Sequence, residues 1–318
     1  MEVIFIEPIY KDYIWGGTKL KEKYNKKTSR NIIAESIEII ANKYETVKIK
    51  NGEYKGKTLY ELFQDIQLKE KIFGKYCIKQ RKFPIIIKFI DARENLSIQV
   101  HPSNSVNEKN ELWYIIESSQ GSQLIAGINN NITKKEFIKS IKDNQITNNV
   151  KYLDINTGDC IYIPSGTIHS ILKNILILEI QQNSNITYRL FDWNRVDKNG
   201  KSRELHIERA IKSIKLSNKP NKFHINSNNG NNAIIKNEFF NVNKIVIKEE
   251  FETYSSLNTL SIMNVVDGNG KIYTSNNEYV LKKGDTFIIP ATMGIYRIKG
   301  KLEIIETSIV KEKKWKNL

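Results

Sequence analysis

The segment Gly158-Asp-Cys-Ile-Tyr-Ile-Pro-Ser-Gly-Thr-Ile-His169 decides the fold, because part of it recurs later in the chain. The second copy, Gly284-Asp-Thr-Phe-Ile-Ile-Pro290, has the same Gly-Asp pair, apolar run and proline. His169 lies five residues after the first proline, and Ile295 takes that place in the second copy. The repeat predicts two related β-barrels, of which only the first has this histidine. A chance match of so short a stretch is the alternative.

Short apolar runs punctuated by Gly, Asn and Asp surround both copies. Examples are residues 84–90, 112–116, 160–163, 175–180 and 245–247. This pattern is typical of an all-β barrel or sandwich. Helical periodicity is rarer and predicts three helices, over residues 58–80, 133–143 and 203–215. The capping box Thr133-Lys-Lys-Glu136 marks the start of the second helix.

A polar, turn-rich stretch over residues 217–232 predicts a linker followed by a loop. We therefore predict two domains. Residues 1–218 form an N-terminal catalytic domain with helices, and residues 219–318 form a C-terminal barrel without a metal. His224 falls in the predicted linker and is assigned no role.

The bulk composition is that of a globular protein. The chain has 318 residues, 40% of them hydrophobic, which is enough for one large or two medium domains. No run approaches 18 consecutive apolar residues, so no membrane partner is expected. The N-terminus lacks the order of a secretion signal, and Cys77 and Cys160 provide no disulfide framework. We expect a cytoplasmic enzyme.

The formal net charge of +15 favours anionic partners, either nucleic acid or phosphorylated metabolites. A compositional explanation competes with this, because Lys, Asn and Ile are abundant throughout and the lysines form no single block. No helix-turn-helix, zinc-knuckle or RNA-binding signature accompanies the charge, so no nucleic-acid partner is predicted. The oligomeric state stays open.

A second segment, Leu96-Ser-Ile-Gln-Val-His-Pro102, contains another histidine at the end of a predicted strand. Side chains alternate between the two faces of a strand, so Ser97, Gln99 and His101 share one face. The apolar character of the neighbouring runs indicates a barrel wall with a polar lumen.

Glu111 lies ten residues after His101, at the start of the next strand, and Lys109 shares its face. Together with His169, this provides two imidazoles and one carboxylate, which leave an open position on a catalytic zinc ion. Gln99 is a weaker additional ligand. The alternative is a set of hydrogen-bonded polar residues at a barrel mouth.

Further motifs extend the pattern. They are Tyr13-Ile-Trp-Gly-Gly17, Ala34-Glu-Ser-Ile-Glu38, Lys109-Asn-Glu-Leu-Trp-Tyr114, Leu178-Glu-Ile-Gln-Gln-Asn-Ser-Asn-Ile-Thr-Tyr-Arg-Leu-Phe-Asp192 and Arg203-Glu-Leu-His206. With these motifs the chain resembles type I mannose-6-phosphate isomerase (phosphomannose isomerase) of the cupin superfamily, in its short bacterial form. The resemblance is strong over residues 8–215. It implies a mainly β fold of two cupin-like β-barrels (jelly rolls), with a few helices packed on the N-terminal part.

The resemblance also implies an activity, the zinc-dependent interconversion of D-mannose 6-phosphate and D-fructose 6-phosphate through an enediol. One Zn²⁺ per chain would be held by His101, Glu111 and His169, with Gln99 as a ligand in some members. Arg189 falls at the active-site arginine of the family, and Glu179 falls where a base has been proposed. Ile37 and Asn185 replace a usual Trp and Asp, which puts the fine substrate fit in doubt but not the reaction class.

The reaction needs one base to move a proton between two carbons. Glu179 is the first candidate, and a purely hydrogen-bonding role is its alternative. Arg189 and Lys109 are predicted to neutralise developing negative charge.

Ser97, Lys88 and Arg195 are predicted to bind the substrate phosphate, although Lys88 could instead extend to the surface. His206 is predicted to be a surface or packing residue on a helix.

Two other functions compete with the isomerase. One is a non-catalytic sugar-binding or regulatory cupin, and the other is an iron-dependent cupin oxygenase.

Overall fold

The computed structural model describes residues 1–104, 107–129, 132–197, 199–225 and 228–311. The protein is mainly β, as predicted. The first thirteen strands are β1 (Ile4–Glu7), β2 (Ile9–Lys11), β3 (Glu35–Ile39), β4 (Lys48–Ile49), β5 (Ile85–Ala92), β6 (Ile98–Val100), β7 (Glu111–Glu117), β8 (Gln123–Ile128), β9 (Val150–Asp154), β10 (Asp159–Ile163), β11 (His169–Ile171), β12 (Ile175–Gln182) and β13 (Tyr188–Phe191).

The remaining strands are β14 (Asn221–His224), β15 (Gly230–Lys236), β16 (Phe240–Ile247), β17 (Glu250–Tyr254), β18 (Ser261–Tyr273), β19 (Glu278–Lys282), β20 (Thr286–Ile289) and β21 (Ile295–Ile309). The α-helices are α1 (Lys19–Lys23), α2 (Leu59–Gln64), α3 (Ile66–Leu68), α4 (Lys134–Lys142) and α5 (Ile207–Ser213). Short turns of other helix types cover Lys69–Phe73, Lys75–Cys77 and Ile146–Asn148. No helix in the described part of the chain is long and apolar enough to cross a membrane.

The first barrel is formed by two sheets. A seven-stranded sheet has the order β14-β10-β7-β12-β5-β3-β2, and a five-stranded sheet has the order β13-β6-β11-β8-β9. One apolar cluster joins Trp113 and Ile177 of the larger sheet to Leu124 and Ile171 of the smaller. The two sheets therefore face each other across a shared interior.

The second barrel is one nine-stranded sheet, in which β15, β16, β21, β18, β20, β1 and β4 follow one another. The long strands β18 and β21 pair over most of their length and carry β17 and β19 at their ends. The first strand of the chain, β1, pairs with β20 of this barrel. The division of the chain at residue 218 stays a prediction.

The predicted linker needs a correction. Residues 221–224 form β14, which pairs with β10 of the first barrel, and residues 230–232 begin β15 instead of ending a loop. Residues 226 and 227 lie outside the described part of the chain. Nearly all residues of both strands are exposed or half-buried, so their polar composition resembles that of a loop.

The helix predictions were partly right. Helix α4 begins at the predicted capping box, in which Thr133 and Glu136 bond each other's backbone N–H. The helix predicted over 58–80 is broken, because the Asp65 carboxylate caps a new start by accepting from the N–H of Gln67 and Leu68. The helix predicted over 203–215 covers only Ile207–Ser213.

Candidate metal centre and substrate cavity

Two buried histidines face each other in the first barrel with their ring centroids 4.7 Å apart. His101 follows the last residue of β6, and His169 is the first residue of β11. The Nδ1 atom of His101 lies 2.9 Å from the carbonyl of Ile186, and Nδ1 of His169 lies 2.9 Å from the carbonyl of Thr167. A carbonyl can only accept, so each Nδ1 carries the proton and each Nε2 presents a lone pair.

The same arrangement keeps both imidazoles neutral. Burial lowers the pKa of His101, and the positive charge of Lys109 lowers it further. Burial, together with neighbouring His101, lowers the pKa of His169 to about 3. Histidines that ligate metals through one nitrogen and donate the other N–H to a carbonyl have this form.

The Glu111 carboxylate completes the cluster. Its Oε1 lies 2.9 Å from His101 Nε2, and its Oε2 lies 3.8 Å from His169 Nε2. Both carboxylate oxygens are buried. Burial alone would raise the pKa of Glu111, but Lys109, 2.8 Å away, and the two histidines hold that pKa well below its usual range.

These three side chains fit a metal ion. Their ligand atoms lie within 4.8 Å of one another, and ligand atoms of tetrahedral zinc lie roughly 3.3 Å apart. Two imidazole nitrogens and one carboxylate are donors that zinc prefers. Gln99, the weaker predicted ligand, lies beside the cluster with its side-chain amide 3.3 Å from His169 Nε2.

Glu179 lies on the interior face of the larger sheet. It is directly opposite Trp113 on one neighbouring strand and Lys88 on the other. Trp113 Nε1 donates to its Oε2 at 3.2 Å, and Lys88 Nζ lies 3.5 Å from its Oε1. Burial raises the pKa of Glu179, Glu111 raises it further, and Lys88 opposes both. A carboxyl group with a raised pKa is suited to proton transfer near neutral pH.

Lys88 points into the barrel, which excludes the surface position that was its alternative. Its ammonium lies 3.5 Å from Glu35 and 3.5 Å from Glu179. Burial alone would lower the pKa of Lys88, but these two carboxylates outweigh burial and hold the pKa above its ordinary value. Lys88 is therefore charged and already engaged by two acidic groups.

A cavity of about 490 Å³ opens beside the cluster. It brings together most of the predicted site residues. Those that line it are Lys88, Ser97, Gln99, Lys109, His169, Glu179 and Arg189. The volume is in the range of small-molecule sites. Arg189 Nε is buried and has no hydrogen-bond partner among the described residues.

Arg195 does not line the main cavity. It lines a second cavity of about 360 Å³ together with Arg189 and Arg203, and its Nη2 lies 2.7 Å from Asp192 Oδ1. The motif spacing does not reveal this separation, because the chain turns at Trp193 and Asn194, both with positive φ. The predicted contact of Arg195 with a substrate phosphate stays a prediction.

Sequence reasoning assigned no site role to several polar residues that line the main cavity, among them Glu35, Arg203, His206 and Arg209. Glu35 could have been found from strand alternation, because it shares a face with Ile37, which also lines the cavity. His206 had been predicted on a helix and instead precedes α5. Its backbone N–H donates to the Arg189 carbonyl at 2.8 Å, and its Nδ1 lies 3.3 Å from the Arg189 backbone nitrogen.

Comparisons with known proteins agree with this geometry. Residues 3–113 match the family described as phosphomannose isomerase type I, catalytic domain. Residues 230–309 match the family described as mannose-6-phosphate isomerase, cupin domain. The first match contains two of the clustered side chains, His101 and Glu111, and the second covers most of the second barrel.

Individual relatives match nearly the whole chain. The mannose-6-phosphate isomerase ManA of Bacillus subtilis is 32% identical, over 96% of this chain and 98% of that protein. The mannose-6-phosphate isomerase of Streptococcus mutans is 32% identical, over 96% of this chain and 97% of that protein. A crystal structure of the B. subtilis mannose 6-phosphate isomerase superposes with a TM-score of 0.85, at 32% identity and with coverage of 96% and 99%. The chain therefore belongs to the type I mannose-6-phosphate isomerase family.

Proposed function

We propose that this protein interconverts D-mannose 6-phosphate and D-fructose 6-phosphate as a zinc-dependent aldose–ketose isomerase with an enediol intermediate. Relatives named for this activity, identical at about one third of positions over nearly the full chain, support the substrate. The converging side chains of His101, Glu111 and His169 support the metal dependence.

The zinc ion would be held by Nε2 of His101, Nε2 of His169 and the Glu111 carboxylate. When bound, it supplies Lewis-acid stabilisation of negative charge on the sugar oxygens. The Ser97 hydroxyl donates to Gln99 Oε1 at 3.1 Å and so orients the Gln99 side chain. The amide nitrogen of Gln99 therefore stays beside His169. Nitrogen and oxygen donors with three protein ligands are typical of a catalytic zinc site.

Glu179 is the proposed base that carries the proton between carbons 1 and 2. Its carboxylate lies in the cavity wall, and Trp113 and Lys88 fix its orientation from both sides. A group that accepts and then returns a proton works best when its pKa is close to the operating pH. The raised pKa of Glu179 moves this carboxyl group towards neutral pH. The cation of Lys88 keeps the carboxylate form available.

Lys109 and Arg189 are the proposed stabilisers of developing charge on the substrate oxygens. Lys109 Nζ lies 2.8 Å from Glu111 Oε1 and 3.3 Å from His101 Nε2, which puts its charge next to the metal ligands. Arg189 lies across from Gln99 on the neighbouring strand and lines the same cavity. Both cations therefore face the space where the sugar oxygens would lie.

One observation carries the proposal, the convergence of two Nε2 lone pairs and a buried carboxylate on one point. It is tested by measuring the bound metal in purified protein and assaying turnover of mannose 6-phosphate with and without a chelator. We expect zinc and chelator-sensitive turnover. Sugar-phosphate binding without turnover would favour the non-catalytic cupin, and bound iron with oxygen uptake would favour the oxygenase.

A further inference from the structure

The cavity has more positive than negative side chains. Six cationic side chains line it against three carboxylates. The cations are Lys11, Lys88, Lys109, Arg189, Arg203 and Arg209, and the carboxylates are Glu35, Glu45 and Glu179. A cavity with surplus positive charge attracts an anion, and the position of the surplus tells where the anion binds.

The three lysines are each matched by an acidic group. Lys11 lies 2.5 Å from Glu45, and Lys109 lies 2.8 Å from Glu111. Lys88 is held between two glutamates. None of these ammonium groups is free of an acidic neighbour, so the surplus charge does not come from the lysines.

The surplus comes from three arginines. In the described part of the chain, neither Arg189 nor Arg209 forms an ion pair, and Nε of Arg189 is buried without a partner. Arg203 reaches Asp192 Oδ1 only at 3.4 Å, and Arg195 takes the same oxygen at 2.7 Å. Burial lowers the pKa of Arg203, and the charge of Arg189 lowers it further. An anion bound there would compensate these charges.

The arginines also lie at the end of the cavity away from His169, where the substrate phosphate is expected. His169, Gln99 and Arg189 are directly opposite one another on three neighbouring strands, so the Arg189 backbone is about 10 Å from that of His169. His206 bonds the backbone of Arg189 and immediately precedes α5, the helix that carries Arg209. The reacting carbons of a hexose 6-phosphate lie at one end of the sugar, and the phosphate lies at the other.

We propose that Arg203 and Arg209 form the subsite for the phosphate dianion of the substrate, with Arg189 between them and the metal centre. This assignment rests on the proposed function, because it requires carbons 1 and 2 to lie beside the metal centre. It replaces Lys88 and Arg195 in the phosphate subsite predicted from the sequence. Guanidinium groups suit this role, because their planar N–H donors match phosphate oxygens two at a time.

The test removes each arginine charge separately. Arg209→Gln and Arg203→Gln should each raise KM for mannose 6-phosphate about tenfold and leave kcat within about twofold, because the contact is equal in ground and transition states. The dissociation constant of inorganic phosphate, measured by calorimetry, should rise in parallel. Arg209→Lys keeps the charge and should recover part of the affinity.

Arg297→Gln is the matched control, because this arginine lies on the second barrel and pairs with Glu252. It should leave KM and phosphate affinity unchanged. Unchanged phosphate affinity in both Arg203→Gln and Arg209→Gln would overturn the subsite assignment. A larger loss of phosphate affinity in Arg195→Gln than in these two variants would overturn it as well. If the wild type does not turn over mannose 6-phosphate, the isomerase proposal fails, and phosphate affinity still tests the arginines.

Discussion

The two barrels contain the same turn. At its start, Gly158 has φ 90° and Gly284 has φ 91°. Each glycine N–H donates to a strand carbonyl at 2.8 Å. In each turn, the aspartate that follows the glycine accepts a hydrogen bond at 2.8 Å from a backbone N–H. Asp159 accepts from Asn156, and Asp285 accepts from Lys282. The repeated sequence therefore encodes one local structure twice.

The segments after the two turns differ completely. His169 begins a buried strand and is 1% exposed, whereas Ile295 begins β21 and is 68% exposed. The interior of the second barrel is filled by apolar side chains such as Met263, Phe287 and Ile304. The first barrel replaces part of that filling with charged groups. The turn therefore provides the scaffold, and function depends on side chains added at the strand ends.

The largest effect should come from removing the histidine that distinguishes the two turns. His169→Ala should abolish stoichiometric metal binding and lower kcat roughly a thousandfold or more, because two ligands hold zinc poorly. Metal analysis and the isomerase assay measure both effects. The fold should persist, as judged by circular dichroism.

His224→Ala is the control. This histidine lies on the first barrel beside the same turn, is half exposed, and bonds Asp159 instead of the cluster. Its loss should leave metal content and turnover unchanged. Retention of metal and activity by His169→Ala would refute the ligand assignment.

A smaller effect should come from Glu179→Gln, which preserves shape and removes the base. We expect kcat to fall about 10²–10⁴-fold with the metal retained. In the wild type, kcat/KM should fall as pH falls through the raised pKa of Glu179, because protonation removes the base. The residual activity of the variant should lack this dependence on pH.

Glu306→Gln makes the same change in the second barrel. Glu306 accepts hydrogen bonds from Ser261 and Asn243 and has no contact with the cavity. Its substitution should leave turnover unaltered. A loss below about tenfold in Glu179→Gln would mean that Glu179 only orients its neighbours.

Local patterns predicted the parts of the site that depend on local geometry. Strand alternation put Ser97 and Gln99 on one face, and both line the cavity. The capping box located α4. The clustering of His101 with Glu111 could be predicted because both lie at strand ends in one barrel.

Long-range contacts explain what the local patterns could not predict. Nothing near Lys88 in sequence indicates that Glu35 and Glu179 lie on either side of it. The helical pattern over 203–206 is overridden by hydrogen bonds between His206 and Arg189. Strand β14 could not be predicted from local sequence either. Its partner strand β10 is distant in sequence, and its polar side chains are typical of a turn.

The two glycines provide the sharpest test of the shared turn, because their backbones agree and their surroundings do not. An added Cβ at Gly158 would first meet Cε1 of the half-exposed His224, at 3.0 Å. An added Cβ at Gly284 would lie 2.0 Å from the carbonyl oxygen of Tyr24. Positive φ costs alanine about 1–2 kcal/mol at either position.

Gly158→Ala should therefore lower the free energy of unfolding by about 1–2 kcal/mol, and Gly284→Ala by about 3 kcal/mol or more, as measured by urea denaturation. The side chain of His224 can move aside, whereas the backbone of Tyr24 is held by the neighbouring Lys26, whose ammonium binds Glu38 and the Gly284 carbonyl. Equal losses in the free energy of unfolding would mean that the positive φ alone sets the cost. The N-terminal segment around Tyr24 would then move to accommodate the added Cβ. A larger loss at Gly284 would mean that this second turn is constrained because the N-terminal segment is packed against it.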